Sequence, residues 1–294
     1  QREHCLSERL RDRVNAGSGE MKIGFIGIGN MGGAILYGYA SEKDDKNEIL
    51  VMNRSRSRCE EAKKRFPEIR ICDSISELSK KSDMVIIGVK PQGIEEVINE
   101  MEETFTGEKT AISMAAGVDM AYLSKHLGKD AKIIRIMPNT PAQVGEAMVA
   151  MCRNENVTDE DFAAAENLFA STGKTCEIDE ALIDCVIGVS GSSPAYTYMY
   201  IQALAEAAEA NGMDREKARV FAAQSVLGAA KMVLESSESI EQLRLNVCSP
   251  NGTTIEAVNK LFENEFMEKA KEGFQAAADR SREMTAEKAA KVKA

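Results

Sequence analysis

Lys22-Ile23-Gly24-Phe25-Ile26-Gly27-Ile28-Gly29-Asn30-Met31-Gly32-Gly33 opens on an apolar run and breaks into Gly27-x-Gly29-x-x-Gly32. Residues 23 to 26 read as a buried strand, and Ala34, Ile35, Leu36 and Tyr37 start a helical pattern. A strand, a glycine turn and a helix in that order give the motif its mechanism. Gly27 permits the tight turn, Gly29 lets backbone approach a pyrophosphate, and Gly32 lets the helix lie against the strand. The free N–H groups of the new helix and the positive end of its dipole then face phosphate. A glycine-rich turn that binds nothing is the plainer reading of the motif alone. With strand and helix in place, the motif points to a dinucleotide.

The rest of the chain bounds what is done with it. Its 294 residues suggest two domains at roughly 150 residues each. Composition is ordinary, with 44% hydrophobic and 29% charged residues, and no apolar run approaches the ~20 residues of a membrane span. Residues 1 to 20 are charged and end in Gly17-Ser18-Gly19 before Met21. They read as a leader or expression remnant, or as a disordered native tail, and not as a secretory signal. The net charge of −10 argues against a general nucleic-acid binder. An anionic ligand would have to be held by local donors. The seven cysteines are scattered, which suits reduced thiols in the cytoplasm and offers no metal site.

Beyond the glycine turn, strands are expected at residues 49 to 52, 69 to 72, 83 to 89, 110 to 113, 132 to 137, 143 to 151 and 173 to 178, with helices between most of them. The apolar runs suit strands buried on both faces. The expected fold is α/β: a Rossmann-like, doubly wound, mostly parallel sheet over residues 21 to 180, followed by an all-helical part over 181 to 294. Ligands in such sheets sit beyond the strand carboxyl ends. Those ends are small or polar here: Asn53 to Ser55, Val89-Lys90-Pro91, Ala115-Ala116-Gly117 and Pro138-Asn139-Thr140. An acid that would take ribose hydroxyls is absent before Glu60, while Asn53-Arg54-Ser55-Arg56-Ser57-Arg58 can donate to a 2′-phosphate. The cofactor expected is NADP(H), with NAD(H) as the alternative. A solvated arginine-rich helix start is the plainer reading of the three arginines.

The helical part supplies the remaining chemistry. A helix from Ser193-Pro194 ends at Asn211-Gly212, and Asp214 caps the next, which is apolar nearly all round and wants burial against a second subunit. Of the two histidines, His4 lies in the leader, and His126 is expected on a solvated helix face. The helix after the sheet, Ser193-Pro194-Ala195-Tyr196-Thr197-Tyr198-Met199-Tyr200-Ile201-Gln202-Ala203-Leu204, lacks the Lys of β-hydroxyacid dehydrogenases, which resemble this architecture. Alcohol oxidation needs a proton acceptor. Imine reduction needs less help, because a protonated imine is already electrophilic. Asn246-Val247-Cys248-Ser249-Pro250-Asn251-Gly252-Thr253-Thr254-Ile255-Glu256 makes a tight turn feeding a helix, with Thr253-x-x-Glu256 as a capping box. The same turn presents N–H groups to a carboxylate.

Taken together, residues 21 to about 279 resemble the pyrroline-5-carboxylate reductases. The resemblance rests on residues 24 to 32, Val89-Lys90-Pro91-Gln92, Arg135-Ile136-Met137-Pro138-Asn139-Thr140-Pro141, Ser190-Gly191-Ser192-Ser193-Pro194-Ala195-Tyr196 and Ser249-Pro250-Asn251-Gly252-Thr253-Thr254-Ile255. It implies hydride transfer from NAD(P)H to the imine carbon of 1-pyrroline-5-carboxylate, giving L-proline. It implies that Ile26, Gly27, Ile28, Gly29, Asn30 and Met31 hold the pyrophosphate, and Asn53, Arg54 and Ser55 the adenosine end. Val89, Lys90, Pro91, Ala115, Ala116 and Gly117 would line the nicotinamide side, with Asn246 also touching the cofactor. Glu180, Thr253 and Thr254 match substrate positions, with the Thr254 hydroxyl near the ring nitrogen as the catalytic group. A homodimer through the C-terminal helices is implied, assembled further into rings such as a decamer. The family usually has Gly where this chain has Ser193 and Asn251, and Asn tolerates φ > 0. The competing readings are an enzyme of this shape acting on another imine or a β-hydroxy acid, and a dinucleotide-binding protein without turnover.

Overall fold

The computed structural model describes residues 20–42 and 47–293, without the side chains of 289 and 291–293. The leader, with His4 and Cys5, lies outside the described residues up to position 19. The chain divides into two compact units: residues 1–191 with 277–294, and residues 192–276.

In the first unit eight strands form one sheet: β1 (Lys22–Ile26), β2 (Glu48–Met52), β3 (Arg70–Ile71), β4 (Met84–Ile87), β5 (Thr110–Ser113), β6 (Lys132–Met137), β7 (Ala147–Arg153) and β8 (Gly173–Glu177). Their order is β3-β2-β1-β4-β5-β6-β7-β8. The six strands from β3 to β6 pair in parallel, β7 runs antiparallel to β6, and β8 is parallel to β7. The chain reverses direction on either side of β1, which makes the end of β1 a switch point.

The helices are α1 (Asn30–Glu42), α2 (Arg56–Arg65), α3 (Ile75–Lys81), α4 (Ile94–Met101), α5 (Met120–Leu127), α6 (Asp159–Phe169) and α7 (Ile183–Val186). They cover both faces. Ile35, Leu36 and Tyr39 of α1 pack with Phe162 and Phe169 on one side; Leu78, Ile94, Ile98 and Leu123 pack on the other. Their starts are locally encoded. The Ser74 hydroxyl accepts the Glu77 N–H, the Asp119 carboxylate accepts that of Tyr122, and Thr158 with Asp161 closes a capping box. Pro91–Gly93 forms a 3₁₀ turn ahead of α4, and Ile187–Gly191 a π-helical turn after α7.

The second unit holds α8 (Ser193–Ala210), α9 (Arg215–Glu235), α10 (Ile240–Val247), α11 (Thr253–Glu263) and the start of α12 (Phe266–Lys293). Asp214 caps α9 by accepting the Lys217 N–H, and Gly212 takes the left-handed conformation after α8 (φ +92°). Within this chain α9 buries only Ala218 and Ala222, leaving Phe221, Leu227 and Leu234 exposed. The end of α12 belongs to the sheet unit. There Ser281 donates to Asp184, Met284 lies over Gly117, and the Lys288 ammonium stands 5.5 Å over the Tyr122 ring.

Three expectations are corrected. His126 is half-buried: its ring lies 4.8 Å from that of Tyr122, and Nε2 is enclosed without a partner. Thr253 is the first residue of α11, not its cap. Gly252 takes the extended capping conformation (φ −85°, ψ 171°), so no side chain closes a capping box there. The cysteines are not all reduced, since Cys176 on the outer strand β8 is disulfide-bonded. Cys59, Cys72, Cys152, Cys185 and Cys248 are free thiols. Burial pushes the Cys72 thiol up to about 11 and the Cys152 thiol up to about 12, Glu77 and Glu180 adding to the respective shifts. A maleimide at pH 8 is therefore expected to leave both unlabelled until the protein is unfolded. Peptide mass mapping before and after denaturation checks this.

Candidate active site

A cavity of about 940 Å³ opens at the carboxyl ends of β2, β1, β4, β5 and β6. Its floor is the glycine turn. Gly27 has φ +86°, and its N–H donates to Met52 O at 2.9 Å. A Cβ on Gly32 would collide with the Gly27 carbonyl oxygen, and one on Gly88 would stand 2.5 Å from the same atom. β1, β4 and α1 therefore meet at three backbones with no side chain between them. Gly29 is open by contrast: the nearest atom to a Cβ there is Arg58 Nη1, at 3.8 Å. α1 begins at Asn30 with no acidic residue in its first turn, so no carboxylate of its own competes for its free N–H groups. These features fit a pyrophosphate.

The two sides of the cavity differ in chemistry. Asn53 is fixed to the glycine turn: its Oδ1 accepts the Ile28 N–H at 3.1 Å and its Nδ2 donates to Ser55 O at 3.0 Å. Arg54, Ser55 and Arg58 complete this polar end. Ser55 precedes α2 without capping it, its hydroxyl 2.9 Å from that of Ser57. Arg56 turns away to Asp73, at 2.6 Å. A 2′-phosphate would meet Arg54, Ser55 and the start of α2, while Arg58 reaches back to Ile28 O at 3.3 Å. At the other end the lining is Val89, Lys90, Pro91, Met114, Ala116, Met137 and Pro138, mostly small or apolar and suited to a flat ring.

Of the residues named from sequence, Ile26, Gly27, Gly29, Asn30, Met31, Asn53, Arg54, Ser55, Val89, Lys90, Pro91 and Ala116 line this cavity. Ile28 and Ala115 do not; they are 2% and 1% exposed and packed in the core. Gly117 is likewise outside the lining, left-handed at φ +71° under Met284. Pro138, expected at a ligand-facing strand end, lines the cavity too; sequence reading does not single out Gln92, Gly93 and Met137 as lining residues, although Met137 ends an apolar strand where a ligand is expected. Glu180 forms an ion pair with buried Arg135 at 2.9 Å and accepts the Met120 N–H at 2.8 Å.

Asn246, Thr253 and Thr254 lie on the helical unit. The exposed Asn246 amide accepts from Gln242 and donates to Glu238, both at 2.8 Å. Asn251 has φ +56°, the left-handed conformation its residue type tolerates, and Gly252 N–H donates to Ser249 O at 3.0 Å. Thr253 and Thr254 open α11 with their hydroxyls unused in capping, beside the N–H groups that an N-terminus leaves without helical partners.

Residues 180–284 match the family model "Pyrroline-5-carboxylate reductase dimerisation". Residues 22–117 match "NADP oxidoreductase coenzyme F420-dependent". The pyrroline-5-carboxylate reductase of Escherichia coli (strain K12) is 45% identical over 248 residues, 84% of this chain and 92% of that protein. The chain belongs to the pyrroline-5-carboxylate reductase family. Among solved pyrroline-5-carboxylate reductases, that of Coxiella burnetii superposes with a TM-score of 0.84 at 34% identity, covering 91% of this chain and 99% of the other. The Plasmodium falciparum pyrroline carboxylate reductase, solved with NADP bound, gives 0.82 at 31% identity, covering 92% and 100%.

Proposed function

We propose that the chain reduces 1-pyrroline-5-carboxylate to L-proline with NADP(H). The observation that carries this reading is the glycine-floored cavity at the sheet's switch point, in a chain of this family. The cofactor supplies a hydride to the imine carbon. The C=N electron pair goes to nitrogen, which keeps its proton and becomes the secondary amine. No strong base is required, and α8 carries none where a β-hydroxyacid dehydrogenase would have Lys.

Division of labour follows the sequence expectation. We assign residues 21–180 to the dinucleotide and residues 181–294 to substrate binding and dimerisation, with the end of α12 returning to the sheet unit. Asn246 contributes to the cofactor, Thr253 and the N-terminus of α11 receive the substrate carboxylate, and Thr254 faces the ring nitrogen. The exposed apolar residues of α9 support a homodimer through the helices, and a ring of dimers such as a decamer is the further step. No described helix is long and apolar enough to cross a membrane. The five free thiols among the described residues favour a cytoplasmic setting, with Cys176 the exception.

The test is oxidation of NADPH with racemic 1-pyrroline-5-carboxylate, with NADH in parallel and L-proline identified as product. Turnover is expected with both cofactors and faster with NADPH. Absence of product despite NADPH binding would overturn the substrate assignment. Ser55→Asp places a carboxylate at the polar end of the cavity. It is expected to lower the NADPH-to-NADH ratio of kcat/KM by about tenfold or more. Steady-state kinetics with both cofactors read this directly.

A further inference from the structure

Arg135 stands on β6 and is 3% exposed. Its Nη1 donates to Glu180 Oε1 at 2.9 Å, while Nε and Nη2 are enclosed with no partner. An ion pair buried on the arginine side, with donors left over, is an inefficient way to hold a fold, because apolar side chains of similar volume often do it as well. The pair has a second attachment. Glu180 Oε1 also accepts the N–H of Met120, the first residue of α5, at 2.8 Å. A carboxylate at a helix N-terminus satisfies an N–H that the helix leaves open and matches its dipole. Arg135 keeps that half-buried carboxylate paired.

Met120 follows directly on the turn at residues 114–119. From this turn Met114 and Ala116 enter the cavity at the end opposite the arginine- and serine-lined one. With the glycine turn on central β1 and the arginine- and serine-lined end beside β2 taken as the adenosine side, the β5–β6 end would receive the nicotinamide. The turn is held a second time at Gly117, where a Cβ would stand 3.0 Å from Met284 Cβ.

We infer that Arg135 is a positioning residue that acts through Glu180 to hold the 114–119 turn against the nicotinamide half of the cavity. Glu180 is then a clamp on α5. The inference rests on the dinucleotide reading proposed above.

Three variants test it. Glu180→Gln keeps an oxygen for both N–H groups and is expected to bind NADPH and 2′,5′-ADP each within about threefold of wild type. Arg135→Met/Glu180→Met removes both charges together, so neither is left unpaired. It is expected to bind 2′,5′-ADP, which lacks the nicotinamide, within about twofold of wild type, and NADPH about tenfold more weakly. Its kcat should fall about tenfold, with the imine KM within about twofold. Arg135→Lys, a milder change if the double variant does not fold, should weaken NADPH but not 2′,5′-ADP. An imine KM raised about tenfold with NADPH affinity intact would make Glu180 a substrate ligand and overturn the inference. Unchanged NADPH affinity in a folded double variant or in Arg135→Lys would overturn it too. The two binding measurements need no turnover, so failure of the substrate reading and failure of the clamp are read separately.

Discussion

Replacing Gly32 by Ala is expected to weaken NADPH binding by about 100-fold, about 2.8 kcal/mol, and to abolish turnover at ordinary cofactor concentrations. The added Cβ would collide with the Gly27 carbonyl oxygen, a backbone atom that cannot rotate away. Gly27 is itself fixed by the bond from its N–H to Met52 O and by the close approach of Gly88. The start of α1 would have to lift off the sheet, carrying its free N–H groups away from the pyrophosphate. Gly33→Ala is the matched control. Its Cβ would meet Ile28 O and Tyr37 Cε2 at 3.7 Å, ordinary contact. Relieving a helical glycine should stabilise the protein by about 0.5–1 kcal/mol. Isothermal titration with NADPH and thermal unfolding of the two variants separate the outcomes. Equal binding by both would show that the contact at Gly27 does not set the helix position.

The second large effect is expected at Thr254. Thr254→Ala should lower turnover of 1-pyrroline-5-carboxylate more than about tenfold, some 1.4 kcal/mol in the transition state, with NADPH binding near normal. The hydroxyl sits in the first turn of α11, partly exposed and not consumed by capping, so it is available to a ligand. Thr254→Ser, which keeps the hydroxyl, should recover most of the rate. Single-turnover kinetics with NADPH saturating would locate the loss in the chemical step. Unchanged turnover in Thr254→Ala would remove the residue from the mechanism.

Much of this protein is legible in its sequence because the informative signals are local. Met84-Val85-Ile86-Ile87 forms a strand buried on both faces, as a short apolar run between polar turns suggests, and Gly27-x-Gly29-x-x-Gly32 carries its own backbone requirements. The polar cavity end at Asn53 to Ser55 follows by spacing from the glycines. What stays hidden depends on distant partners. Nothing near Glu180 announces that its carboxylate meets Arg135 and the N–H of Met120, both far back along the chain. The antiparallel course of β7 is silent because an apolar strand reads the same in either direction. The start of α11 was misplaced by one residue because Gly and Thr both serve as N-caps, and only the backbone decides between them. Ile28 and Ala115 fall among residues that do line the cavity, yet their side chains fill the core.

The two units are not successive lengths of chain, since α12 starts in the helical unit and finishes on the sheet unit at Asp184, Gly117 and Tyr122. This matters to anyone recombining members of the family. A chimaera with a single crossover near residue 192 would import a foreign tail onto the host's own nucleotide-binding half, and a loss of activity there would be blamed on the wrong part. Two crossovers, near 192 and near 277, exchange the helical unit and leave each Gly117 with the helix end that evolved against it.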